Sequence, residues 1–292
     1  MNRRQLVALL GAAAAGPAAA QQSSAAALQA LEKAARAEGR LRSVGMPGNW
    51  ANWQSTWADL KRLYGIEHAD EDMNSAEEIA RMEAEGANAT IDIGDVGFEY
   101  AALARGRGVS RPHKPATWAQ IPDWAKDAEG YWALAYTGTI AFAVNKRRTG
   151  GRVPRSWQAL FQGAYQVMVG EVGSAAQANA AVLAAAIALG GAEAQLHAAL
   201  AQFARLARQG QLFMNNPSTR RLERAEADVF LMWDFNALER RDKISNGADY
   251  EVLIPTDGSV TSGYTPIINK HAPHPTAALL AREYIFSDAG QI

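Results

Sequence analysis

Short apolar runs alternate with helical segments through the first hundred residues, and that alternation decides the fold class. Ser24 to Gly39 reads as an amphipathic helix with Leu28 and Leu31 on its apolar face and Gly39 as its stop. Leu41–Val44 is a short strand that runs into the sharp loop Gly45-Met46-Pro47-Gly48-Asn49-Trp50. A helix over 53–64 follows, closed by Gly65, with Trp53 and Trp57 four apart on one face. A second strand over 66–72 leads to a helix capped by Asn74 or Ser75 and ending at Glu85, with Ser75 and Glu78 at capping-box spacing. Ile91-Asp92-Ile93-Gly94-Asp95 is a third strand that ends in a polar turn. Strands that alternate with helices pair in parallel, because each helical crossover returns the chain to the same end of the sheet. An α/β fold follows.

The second half repeats the pattern after an interruption. Residues 118–132 form a Pro-broken, Trp-rich loop, and the apolar stretch from Trp132 to Val144 is split by Thr137-Gly138-Thr139. This stretch reads as a strand that leaves one domain and enters another. A short helix over 156–161, a strand over 166–172 and an Ala-rich helix opened by Gly173-Ser174 and closed by Gly190-Gly191 come next. A helix from Glu193 to Arg208 and strands over 229–235 and 251–254 follow, before Gly263–Lys270 returns to the first domain and a last helix spans 275–286. The expected architecture has two lobes, residues 21–138 plus 262–292 and residues 139–261. Each is a mainly parallel sheet flanked by helices, and two crossovers join them.

The N-terminus reads Met-Asn-Arg-Arg, then an apolar run from Leu6 to Ala15, then Ala18-Ala19-Ala20 before Gln21. A charged start, a short apolar centre and an A-x-A site make a cleaved export signal over 1–20. The run is far short of the roughly 20 apolar residues of a membrane-spanning helix. Arg3-Arg4 is also compatible with twin-arginine export. The mature chain is then expected in the periplasm. Its remaining length, about 270 residues, is enough for two domains and needs no disulfide staples. With no cysteine, the chain has no thiol nucleophile, no thiolate metal site and no lipidated N-terminal Cys. A net charge of −1 and the lack of a basic, aromatic-rich stretch argue against a nucleic-acid partner.

Five stretches in order resemble the periplasmic solute-binding proteins of ATP-binding-cassette importers, of the type that binds polyamines, ferric iron and phosphonates. They are Thr137-Gly138-Thr139-Ile-Ala-Phe-Ala-Val-Asn-Lys146; Pro154-Arg-Ser-Trp157-Gln-Ala-Leu160; Pro255-Thr-Asp-Gly258 with Ile267-Ile-Asn-Lys270; His274-Pro275 with Ala277-Ala278; and Phe286-Ser287-Asp-Ala-Gly290-Gln291. Chains of the family usually continue past such an ending. The resemblance implies the type II-like two-lobed fold that the strand pattern also suggests. It further implies a hinge that closes on a ligand, delivery to a permease in the inner membrane, a monomer, and no cofactor.

In open α/β sheets a ligand sits off the carboxyl ends of the strands. On that rule the candidates are Trp50, Asn74, Ser75 and Asp95 in the first lobe and Glu171, Gly173, Ser174, Trp233 and Asp234 in the second. Tyr136, Thr137 and Tyr264 belong to the crossing strands. Carboxylates and aromatic faces without a Lys or Arg suit an amine or polyamine. The rival cargo is a phosphonate or phosphate ester held by the free N–H groups at Gly173-Ser174 with Asn74 and Ser75; the competing reading of Gly173-Ser174 is plain helix capping. Ferric iron is disfavoured because no two tyrosines are adjacent, and no metal site is expected: His271 and His274 are separated by Pro273. A secreted hydrolase is the rival class, but Gly-x-Ser-x-Gly and His-Glu-x-x-His are both missing from the sequence. A ligand sensor built on the same fold is a third reading.

Overall fold

The alternation builds two mixed sheets that share one long crossing strand, with a return strand paired along its first half. A computed structural model describes residues 16–190 and 196–291, with residues 16–24 as backbone only. The export signal read over 1–20 lies outside the described residues except for its last five, which begin α1 (Gly16–Glu38). In the first lobe β1 (Arg40–Val44) pairs in parallel with β2 (Glu67–Glu71) and β3 (Ile93–Gly97). In the second, β6 (Val167–Met168) pairs in parallel with β7 (Leu212–Phe213) and β8 (Val229–Trp233).

The crossing strands run antiparallel to these. β5 (Tyr136–Asn145) pairs with β10 (Thr261–Asn269) through Tyr136↔Tyr264 to Thr139↔Thr261. From Ile140 onward β5 pairs with β8 instead, and with β9 (Tyr250–Leu253) on its other edge. β10 continues along β3 and the short β4 (Ser110–Arg111). The sheets are therefore less parallel than the strand–helix alternation suggests. Parallel pairing is confined to three strands in each lobe, and every strand added by a crossover comes in antiparallel.

Helix ends follow local chemistry. α2 (Trp53–Tyr64) ends on Gly65, whose φ of 69° lets its N–H reach the carbonyls of Leu60 and Lys61. α3 (Ser75–Glu85) starts on a capping box made by Asn74 and Glu77, one residue earlier than the Ser75/Glu78 box read from spacing. Ser75 and Glu78 are buried and used elsewhere: Ser75 Oγ accepts the Gly97 N–H and Glu78 Oε2 accepts the Asp95 N–H. β3 also lies two residues later than expected. Asp95 is inside it, not in a polar turn, because this central strand is buried along its whole length and has no polar face.

Two of the unread helices have no loop to introduce them. α4 (Phe98–Gly106) begins straight off β3, and α9 (Asp234–Lys243) begins straight off Trp233, so the strand read through Phe235 stops at Trp233. The second-lobe core packs Trp157 of α5 (Trp157–Gln162) against Phe142 and Phe203, the latter on α7 (Leu196–Arg208). α6 (Ala176–Gly190) lays its alanines flat on that core. In the first lobe Trp53 and Trp57 stack at 5.6 Å and pack with residues of α10 (Pro275–Ile285).

The lobes meet where α6 starts. Tyr100 Oη donates to the Gly173 carbonyl at 3.2 Å and accepts from Asn179 Nδ2 at 3.1 Å, while Asn74 Nδ2 reaches Glu171 Oε2 at 3.3 Å. A side chain at Gly97 would overlap the Ala176 methyl group. Gly97 has φ −55° and ψ 149°, a conformation open to any residue. Gly97→Val should therefore leave the strand intact and push the lobes apart. We expect a larger radius of gyration by small-angle X-ray scattering, with the melting temperature within about 4 °C of wild type. An unchanged radius would show that the lobes approach without this contact.

Candidate functional site

A cavity of about 300 Å³ lies between the lobes, in the size range of small-molecule pockets. The first lobe lines it with the loop after β1 (Gly45, Pro47, Asn49, Trp50), the turn before α3 (Asp72 to Ser75), Glu77 and Glu78 of α3, and Asp95 of β3. The second lobe contributes Glu171, the start of α6 through Gln177, the segment 216–219 and Arg240 of α9, and Tyr264 comes from β10.

Of the sequence candidates, Trp50, Asn74, Ser75, Asp95, Glu171 and Tyr264 are on this wall. The other six are not, and most have structural partners. Trp233 is buried in the second-lobe core and donates from Nε1 to Tyr264 Oη at 3.0 Å. Asp234 Oδ1 accepts the N–H groups of Thr139 at 3.0 Å and Phe235 at 2.8 Å, fastening the start of α9 to the crossing strand. Gly173 N–H is taken by Asn179 Oδ1 at 2.7 Å, and Ser174 Oγ and N both donate to the Glu171 carbonyl. Those amides are helix-start contacts and are not free for an anion. Thr137 is exposed in the crossing strand, opposite Gly263. Tyr136 sits one layer behind the wall.

Sequence reasoning missed Asp72, Gln177, Ser218, Thr219 and Arg240. Its statement that no Lys or Arg accompanies the site is corrected by Arg240. This side chain is two turns into a helix whose Leu238-Glu-Arg-Arg-Asp-Lys243 run reads as a solvated face. The Asn216-Pro217-Ser218 turn, in which Ser218 caps α8 (Thr219–Glu223), was the one legible signal.

A hydrogen-bonded chain that runs from the wall to Tyr136 behind it joins three segments. Trp50 Nε1 donates to Tyr136 Oη at 2.7 Å, and Tyr136 Oη donates to Asp95 Oδ2 at 2.5 Å. Tyr136 stacks on Tyr264 at 5.4 Å and 9°, while Trp50 and Phe235 meet them edge-on. The aromatic groups thus pack mainly on one another, and the Arg240 guanidinium covers the Trp50 ring at 5.9 Å. Burial pushes the Asp95 carboxyl up to about 8, against the Tyr136 hydrogen bond that favours its ionised form. Glu78 is raised well above the carboxylate range by burial and by the neighbouring Asp95. It is enclosed so closely by Gly45 and Gly94 that a side chain at either would overlap its carboxyl group.

A serine, a histidine and an aspartate also converge nearby, without the order a hydrolase needs. Ser43 Oγ is 2.5 Å from Asp70 Oδ1 and 2.7 Å from His68 Nε2, so the acid holds the serine and not the imidazole. Ser43 is buried, and burial against Trp57 holds His68 down at about 4.

Residues 90–292 match the family model described as bacterial extracellular solute-binding protein. The chain belongs to that family. Its members bind solutes and are not enzymes. No curated protein matches the sequence significantly. Among solved structures, the periplasmic binding protein AfuA from Actinobacillus pleuropneumoniae, with fructose-6-phosphate bound, superposes with a TM-score of 0.72 at 19% identity, covering 86% of this chain and 80% of that one. A putative spermidine/putrescine ABC transporter protein from Listeria monocytogenes gives 0.67 at 17% identity, over 86% and 80%. Iron-bound HitA from Pseudomonas aeruginosa gives 0.64 at 20%, over 86% and 82%. At these identities the likeness establishes the two-lobed fold. Among the described residues, no three His, Asp or Glu side chains are grouped to hold a metal ion.

Asp95 generates a pH prediction. Folded, it keeps its proton up to about pH 8; unfolded, it loses it near pH 4. Between these values the unfolded chain binds fewer protons, so stability falls as pH rises through the window. Asp95→Asn mimics the protonated group at every pH. Its melting temperature should exceed wild type by roughly 3–6 °C at pH 8 and converge with it near pH 4. A pH-independent offset in calorimetry would rule this account out.

Proposed function

We propose that this chain is the periplasmic substrate-binding component of an ATP-binding-cassette importer, and that its cargo is a small organic amine. The observation that carries the cargo class is the balance of groups on the cavity wall. Asp72, Glu77, Glu78, Asp95 and Glu171 are on it with a single guanidinium, that of Arg240. Glu78 and Asp95 hold their protons easily, and the Glu77 carboxylate accepts the Asn74 N–H of the cap. Asp72 and Glu171 remain, one on each lobe; among the described residues the Glu171 carboxylate takes a hydrogen bond only from the Asn74 amide. An ammonium group between the two acids stabilises the closed arrangement more than the open one. Such a difference is what ligand-driven closure requires. Closure would turn on β5 and β10, the strands that pass between the lobes.

The wider role rests on the family, whose description is extracellular, and on the motif order with its N-terminal export signal. Among the described residues no helix is long and apolar enough to cross a membrane. A monomer that docks on a permease is the matching assembly. The structural neighbours carry a sugar phosphate, polyamines and iron by their descriptions, so the choice among cargoes rests on this cavity. Ferric iron fits poorly. The Tyr136 and Tyr264 hydroxyls are engaged with Asp95 and Trp233, and burial raises both phenols, against the tyrosinate an iron site needs.

Calorimetric titration of the mature chain with putrescine and spermidine tests the cargo class. Asp72→Asn and Glu171→Gln should each weaken binding by about tenfold while leaving the fold unchanged. Amine binding that ignores both substitutions, or no amine binding at all, would sink the reading.

A further inference from the structure

Arg240 is out of place in a cavity built only for a cation. It is 6% exposed, and among the described residues no carboxylate lies within 4.0 Å of it. Nη1 donates to the Pro217 carbonyl at 2.8 Å, and Nε is buried without a partner. An arginine buried with unused donors is costly unless something completes its hydrogen bonds, and its planar fork matches an oxyanion. Desolvation lowers it only to about 10, so it stays a cation at neutral pH. The charges that bear on it are Glu239 on its own helix and Asp72 across the cleft.

Two further donors of the same lobe line the cavity. Gln177 is 7% exposed; its Oε1 accepts the Trp233 N–H, and its Nε2 makes no hydrogen bond among the described residues. Thr219 likewise lines the cavity, and its hydroxyl makes no hydrogen bond among the described residues. Gly173 and Ser174, the anion donors suggested by the loop rule, are already engaged. Among the described residues, Arg240, Gln177 and Thr219 are therefore unused donors on the second-lobe side of the cavity, beside Asn216 Nδ2 and the Ser218 hydroxyl, whose oxygen partners are the Glu171 and Arg221 N–H groups.

We propose that the cargo is a zwitterion, whose amine end lies between Asp72 and Glu171 and whose carboxylate or phosphonate end is held by Arg240, Gln177 and Thr219. This rests on the amine reading above and narrows it: a simple diamine leaves the guanidinium unsatisfied and repels it. An oxyanion neutralises Arg240 in a site with little water, where the pairing counts for most.

Three kinds of probe, matched in length, separate the possibilities by isothermal titration of the mature chain. These are putrescine, the zwitterions 4-aminobutyrate and 3-aminopropylphosphonate, and the anions butyrate and propylphosphonate. In the wild type a zwitterion should bind at least about tenfold tighter than either putrescine or its matched anion, and the tighter of the two zwitterions identifies the oxyanion. Arg240→Gln should weaken the zwitterions by about 30-fold and tighten putrescine, two opposite changes that a folding defect cannot produce. Thr219→Val, which leaves Arg240 in place, should weaken the zwitterions by about fivefold.

If putrescine binds as tightly as the zwitterions, or Arg240→Gln weakens all probes alike, the inference fails and the amine reading stands. If the anions match the zwitterions, the amine reading fails and only the Arg240 site remains. Binding by none of the probes overturns both.

Discussion

The phenol of Tyr136 is the junction on which the cleft depends. It donates to Asp95 in β3, accepts from Trp50 in the loop after β1, and lies flat against Tyr264 on the partner crossing strand. Tyr264 in turn accepts from Trp233 of the second lobe. One side chain at the start of β5 therefore sets the loop that edges the cavity, keeps a buried acid partnered, and passes its orientation to the other lobe. The arrangement is dry, and in such surroundings a hydrogen bond is both stronger and more damaging to lose. That dryness is also why the Asp95 carboxyl favours its neutral form.

The two enclosed acids of the wall and the two at its rim serve different ends. Glu78 and Asp95 are enclosed by glycines and aromatics, and their burial suppresses charge. Asp72 and Glu171 are exposed at the rim of the cleft, on opposite lobes. A cavity that counts five carboxylates thus presents far less negative charge than its composition implies. A single arginine is then a substantial fraction of its electrostatic character.

Much of this wall was legible because a simple rule holds for β1, β2 and β6: they end in loops, and those loops face the cleft. Trp50, Asn74, Ser75 and Glu171 were found that way, and the Thr137-Gly138-Thr139 break marked the crossing strand. The rule fails where a strand runs straight into a helix. Trp233 and Asp234 look like a strand end facing a ligand, but with no loop between β8 and α9 they are drawn into the core and the strand junction. The residue that does reach the cavity, Arg240, is six residues further on, in a run whose composition resembles a solvent face. Asp95 was located for the wrong reason. Its polarity suggested a turn, whereas it occupies a central strand that is buried along its whole length and has no polar face to reveal it.

The pairing of β5 with β10 has a kinetic side as well. Thr139 and Thr261 are hydrogen-bonded neighbours, yet 122 residues separate them, and the whole second lobe lies in the loop they close. Closing so long a loop from an unstructured chain is entropically costly, and topologies rich in distant pairings fold slowly. If the inserted lobe forms first, its own β5–β8 and β5–β9 ladders bring the two ends to neighbouring positions, and the crossing pair completes over a short remaining distance. The chain would then assemble from the inside outward, and the cleft would be the last part of the molecule to exist.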